Sequence, residues 1–321
     1  MKKWLIEHGY IPWSKSWIIR MGVMDVLSPN MYDDTVRFLE KQQKLIVLSS
    51  DLQALYRVLV AWKAGEEEID TGESATILRY FTFASWKRDL SKRFIKRGTL
   101  LKRPICDNPE IINLNLEQLL KLDEIGYEKY PTSQWASAKL ILDYLDNKDI
   151  RQEKVENPPA KLVLTYEAIK HWDEQRNKNQ CWHPRYDEVI LRQSIAFLEL
   201  LTKGTTSFVP QHAEDYCFAR AFGLTTKEEG ERRWPTLYGH ESNRIKEMEE
   251  VLLQADNGYV IDSQDHRVIQ AYVMSQKVRK NAVKIKSFES VNKSWPQFPI
   301  FIHNLPDILI EYKKQQPNGN L

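Results

Sequence analysis

Glycine is scarce in this chain, 12 residues in 321, and cysteine scarcer, at three. Phosphate-cradling loops need backbone free of Cβ atoms, and neither a GxGxxG nor a P-loop pattern occurs. Cys106, Cys181 and Cys217 are odd in number and far apart, so they support no disulfide framework and no zinc motif. No metal or other cofactor is expected. Apolar runs long enough to span a bilayer, about 20 residues, are missing as well. The opening stretch MKKWLIEHGYIPW has neither the apolar core nor the cleavage site of a secretory signal. Nor is there an excess of one charge: 46 basic against 44 acidic residues leave +2, not the bulk charge of a nucleic-acid binder. These absences point to a cytoplasmic chain with reduced thiols, without membrane or nucleic-acid partners.

What is present is a sizeable core: 42% of residues are hydrophobic and ten are tryptophan. Length and apolar content suit one large or two ordinary domains. The periodicity predicts helices over 51–65, 74–90, 132–147, 187–204 and about 242–258, with Gly65 and Gly204 as stops. It predicts strands over 44–50, within 156–167 and over 281–292. Alternation of such elements implies a mixed α/β class built of many short units. Eight Lys or Arg between 86 and 103 read as a solvated basic face, with a polyanion patch as the sharper alternative.

The stretch SQDHRVIQAYVMSQ, residues 263–276, sets Asp265, His266 and Arg267 side by side before an apolar helical stripe. Asp265 is a good N-cap. A cation in the first turn, however, opposes the positive end of the helix dipole. An anion arriving there would reverse that sign, because free N–H groups and an arginine together make an anion site. Cations recur near other element starts: Lys15 and Arg20 after Pro12, Arg79 after Ser74, Arg103 before Pro104, Arg244 after Asn243, and Lys293 before Ser294.

Taken in order, these motifs resemble those of the enolpyruvyl transferase family, in particular its branch acting on shikimate 3-phosphate. The segments are Pro12-Trp13-Ser14-Lys15-Ser16…Arg20, Gly72-Glu73-Ser74-Ala75-Thr76…Arg79, Arg103-Pro104-Ile105, Thr132-Ser133-Gln134, Val209 to Asp215, His240-Glu241-Ser242-Asn243-Arg244, Asp265 to Ala271, and Lys293-Ser294-Trp295-Pro296. The resemblance implies a two-lobed fold of repeated short βαβ-type units, each lobe an inside-out α/β barrel. One lobe would span 13–204; the other would combine 1–12 with 205–321. It implies transfer of the enolpyruvyl group of phosphoenolpyruvate to the 5-hydroxyl of shikimate 3-phosphate by addition and elimination, in a monomer.

By the same resemblance, Lys15, Arg103, Gln134, Arg244, Arg267 and Lys293 would bind phosphoenolpyruvate. Ser16, Arg20, Thr132, Ser133, Gln134, Tyr166 and His240 would hold shikimate 3-phosphate. Glu241 and either Glu214 or Asp215 would move protons, with Lys15 and Lys293 stabilising developing charge. The chain also departs from the pattern. Trp13 and Ala75 replace glycines, Glu73 an asparagine, Val163 a serine and His240 a lysine, and the chain is shorter than typical members. A relative that binds a phosphorylated anion or a partner protein without turnover is the alternative.

Overall fold

The computed structural model describes residues 1–150, 155–239 and 243–315. The chain divides into two compact units, Ser14–Arg185 and Met1–Trp13 with Tyr186–Leu321. It begins in the discontinuous unit with a short helix, α1 (Lys2–Glu7).

The continuous unit comprises α2 (Lys15–Leu27), α3 (Asp34–Gln43), α4 (Ser50–Lys63), β1 (Glu68–Gly72), α5 (Ala75–Lys87), β2 (Arg93–Lys96), α6 (Leu116–Leu120), α7 (Gln134–Leu145) and α8 (Ala160–Asn177). Helix α2 is buried without a break from Trp17 to Leu27. A helix apolar on every side must be surrounded, and α3, α4, α5, α7 and α8 pack around this one. Asp25 sits fully buried in its middle. Five donors meet this carboxylate: Thr35 N at 3.0 Å, Thr35 Oγ1 at 2.6 Å, Trp172 Nε1 at 2.8 Å, Trp182 Nε1 at 3.1 Å and Arg176 Nη2 at 2.7 Å. One acid thereby ties α2 to α3, α8 and the segment beyond. Strands β1 and β2 pair in parallel, with Ile69 opposite Phe94, and α5 is the crossover between them.

The discontinuous unit adds α9 (Glu188–Lys203), α10 (Tyr216–Ala221), α11 (Lys227–Arg233), α12 (Arg244–Asp256), α13 (His266–Val278), α14 (Phe298–His303) and α15 (Leu305–Lys314). Its centre is α13, buried from His266 to Gln276 and packed on α9, α10, α12 and a 3-10 turn over Glu289–Lys293. Trp295, Phe298 and Phe301 fill the core beside it, and the Trp295 indole donates to the Tyr10 carbonyl at 2.7 Å.

The α/β expectation is therefore overturned. Among the described residues the chain is mainly helical, with two short strands, one βαβ unit and no barrel lobe. The expected strand at 44–50 is a turn and loop with Leu45 and Val47 exposed. The run after Pro159 is the start of α8, where Leu162, Thr165, Ala168, Ile169 and Trp172 are buried at helical spacing. Residues 281–292 contribute only the bridge of Ile285 to Ile261 before the 3-10 turn. Helices pack directly on helices where a sheet was expected.

The basic stretch lies largely at the surface, as a solvated face, with Arg93, Lys96, Arg97 and Lys102 exposed. Arg93 pairs with Glu68 and Arg97 with Asp70, while Lys92 and Arg88 donate to carbonyls of Gly65, Glu66 and Leu27. Among the described residues, no helix is long and apolar enough to cross a membrane.

Candidate functional site

The first turn of α13 is organised by Asp265, which is fully buried. Its Oδ1 accepts from the backbone N–H of Arg267 at 2.8 Å and of Val268 at 3.4 Å, the N-cap that the sequence promised. Its Oδ2 accepts from Arg244 Nε at 2.9 Å, at the first residue of α12. Two cation-bearing helix starts are thus joined through one carboxylate. Nearby, Glu247 accepts the Ser263 hydroxyl, and that hydroxyl accepts the Asp265 N–H at 3.1 Å.

Arg267 is treated differently. It is 5% exposed, yet among the described residues its Nε and Nη1 have no hydrogen-bond partner. A guanidinium that is buried without acceptors is costly, and such groups in native interiors are normally paired. Asp265 is occupied by Arg244 and by the cap. This guanidinium therefore has unspent donors at the positive end of a 13-residue helix. Behind it lies Cys217 of α10, whose thiol is pushed up by burial; Arg244, Asp265 and Arg267 all act electrostatically on it. Such a thiol is inert rather than nucleophilic. Lys293, half-buried, closes the 3-10 turn that packs on α13.

The carboxylates expected to move protons are placed unevenly. Asp215 is fully buried and receives Arg192 Nη2 at 2.5 Å, Gln193 Nε2 at 3.0 Å, and the backbone N–H groups of Gln211 at 2.9 Å and His212 at 3.1 Å. Four donors make it a structural cap. Glu214, its half-buried neighbour, takes a hydrogen bond from Gln193 at its backbone carbonyl. His240 and Glu241 lie outside the described residues.

The continuous unit carries the remaining expected residues, and most are engaged. Lys15 donates to Asp51 at 2.6 Å. Arg20, buried and with its pKa lowered by desolvation, donates to Thr165 Oγ1 at 2.8 Å and to the carbonyls of Ser16 at 2.7 Å and Lys161 at 2.8 Å. These bonds staple α2 to α8. Lys161 Nζ also reaches Ser16 Oγ at 3.4 Å.

At the start of α7, Thr132 Oγ1 accepts the Gln134 N–H at 3.3 Å, while Ser133 makes no side-chain cap. The Gln134 side chain bridges Thr76 and Arg79, and Arg79 continues to the buried Glu128. Arg103 donates to Thr99 Oγ1 at 3.1 Å, and its Nε has no partner among the described residues. Tyr166 borders a groove with Tyr144, Ile169 and Asp173. Lys15 and Arg103 thus belong to one unit, and Arg244, Arg267 and Lys293 to the other.

Comparison with family models, with curated proteins and with solved structures finds no match. The resemblance to enolpyruvyl transferases thus rests on the order of the motifs. Gln270, one helical turn after Arg267 on α13, and Ser290, on the 3-10 turn that packs against α13, are buried polar residues that the motif order did not assign to the site. Their only signal was a glutamine within an apolar helical stripe.

A pH-dependent contact lies elsewhere in the continuous unit. His171 Nε2 accepts the backbone N–H of His183 at 3.1 Å, so the folded state holds this ring nitrogen unprotonated. Burial, then the charges of Arg185 and His183, lower its pKa below 6.5. A depressed histidine pKa means that the unfolded chain binds the proton more readily. Its contribution to stability is present above about pH 6.5 and is lost as pH falls through the folded-state value. His171→Gln is expected to flatten the decline of unfolding free energy between about pH 7.5 and 5.5, as read in urea titrations. An unaltered slope would remove His171 from the explanation.

Proposed function

We propose that this protein binds a small anion bearing both phosphate and carboxylate at the N-terminus of α13, with Arg267 as the principal contact and Arg244 and Lys293 beside it. The observation that carries this reading is the buried Arg267 guanidinium, two of whose nitrogens have no partner among the described residues. Phosphoenolpyruvate is the member of that class which the motif order implies. A charge-assisted bond to a buried anion is worth about 1.5–3 kcal/mol, enough to set affinity by itself over one to two decades.

Enolpyruvyl transfer to shikimate 3-phosphate by a cytoplasmic monomer is the second reading. What favours it is that the cations of both halves of the motif series are retained: Lys15 and Arg103 in one unit, Arg244, Arg267 and Lys293 in the other. What weighs against turnover is the commitment of Asp215 to Arg192 and of Lys15 to Asp51. The two readings separate in one assay, phosphate release from phosphoenolpyruvate with and without shikimate 3-phosphate. Release that requires both substrates and falls by about 10² or more in Glu241→Gln identifies a transferase. Saturable binding of phosphoenolpyruvate without release identifies the binding protein.

A further inference from the structure

One helical turn beyond Arg267, α13 carries another buried polar group with an unused pole. Gln270 is 3% exposed; its Nε2 donates to Ser294 Oγ at 3.1 Å, while Oε1 has no partner among the described residues. Exchanging the amide nitrogen and oxygen changes nothing, since one pole stays unpaired either way. Ser290, on the 3-10 turn packed against α13, is 9% exposed, and its hydroxyl too has no partner among the described residues. Residues 267 and 270 share one helix face by their spacing. The Gln270–Ser294 bond fastens the segment following that turn onto the face, and Ser290 lies four residues before Ser294. A charged donor and a neutral amide with open hydrogen-bonding capacity therefore share one face of α13, and the turn that carries Ser290 packs against the same helix. Native interiors contain few such groups, and each asks for an explanation. Core filling is none, because Val268, Ile269, Ala271 and Tyr272 supply apolar packing on the same helix.

We propose that Gln270 and Ser290 form a neutral polar subsite adjoining Arg267, so that the ligand held there carries a hydroxyl beside its phosphate and carboxylate: a phosphorylated hydroxy acid. This rests on the reading of Arg267 as an anion contact and narrows it. The hydroxyl would donate to Gln270 and accept from Ser290, completing groups that phosphoenolpyruvate, with a bare methylene, leaves open. A site built to bond a hydroxyl discriminates against the analogue lacking it, because its own polar groups are then buried unpaired.

Two probes differ by this hydroxyl alone: 2-phosphoglycerate and 2-phospholactate, compared by titration calorimetry on the full chain. The expected result is a preference of roughly tenfold for 2-phosphoglycerate, the scale of one buried hydrogen bond. Gln270→Met, of similar volume, is expected to erase the preference while 2-phospholactate binds as before. Ser290→Ala, a smaller change, is expected to reduce it and carries the test if Gln270→Met does not fold. Equal binding of both probes overturns the polar subsite and leaves the anion contact standing. A preference that survives both substitutions overturns the assignment to these residues. Binding of neither probe overturns the subsite together with the anion reading beneath it.

Discussion

Replacing Arg267 by leucine is expected to raise the thermal stability of the protein measured without ligand, while weakening its response to phosphoenolpyruvate. Arg267 is 5% exposed, and among the described residues its Nε and Nη1 have no acceptor. The carboxylate two residues earlier is taken by Arg244 and by the helix cap. Folding therefore buries a charge without full compensation, which costs about 1–3 kcal/mol on the scale of unsatisfied buried groups. Leucine removes that cost and keeps apolar bulk against the core, so the unfolding midpoint should rise by about 2–6 °C. The wild-type chain, in contrast, should gain stability with added ligand by mass action, about 2.7 kcal/mol at a hundredfold excess over its Kd, and the variant, binding tenfold to a hundredfold more weakly, only about 0.4–1.4 kcal/mol at the same concentration. Differential scanning of both proteins with and without phosphoenolpyruvate reads the two effects together. A variant that melts lower without ligand would mean that the guanidinium is already satisfied inside the fold.

The largest loss of stability is expected from Asp25→Ala. Asp25 gathers Thr35, Trp172, Trp182 and Arg176 around one carboxylate, and Arg176 also pairs with Asp34 at 2.5 Å and lies 3.7 Å from the centre of the Tyr32 ring. Removing the acid strands two indole N–H groups and a guanidinium nitrogen inside the unit. Breaking one side of a buried ion pair costs about 3–5 kcal/mol, which corresponds to a fall of order 10 °C in the midpoint. Asp25→Asn retains one acceptor oxygen and should lose less. Trp172 and Trp182 report directly on the site, so denaturant titration followed by tryptophan emission suits both variants. A loss below about 1 kcal/mol in Asp25→Ala would show that the donors find other acceptors.

The helices were legible in the sequence wherever capping and periodicity agreed. Ser49 accepts the Leu52 N–H at the start of α4, Asp187 caps α9, and Gly204 ends α9 at φ +72, a left-handed conformation that suits glycine. Asp265 capped α13 as its position implied. Strands were misread where apolar runs were short. KLIVLSS carries no period that separates a strand from a loop leading into a helix cap, and its Leu45 and Val47 face outward. LVLTY looks β-rich through Val163, Leu164 and Thr165, but its burial pattern emerges only when Ala168, Ile169 and Trp172 are counted with it.

At the site, the sequence picked out Arg267 because a first-turn cation has no structural task. The partners of Lys15 and Arg20 could not be foreseen, since Asp51, Thr165 and Lys161 lie far along the chain. Gln270 was passed over because a glutamine in an amphipathic helix is ordinarily solvated, and only its 3% exposure marks it out.

The central claim is that an anion lands on Arg267, and the most direct measurement is calorimetric titration of phosphoenolpyruvate into the wild-type chain and into Arg267→Leu. Arg267 as anion contact predicts saturable binding to the wild type, weakened by about tenfold to a hundredfold in the variant, as expected for loss of one charge-assisted contact. Binding of equal strength in both proteins, or no saturable heat from the wild type at millimolar ligand, would contradict it.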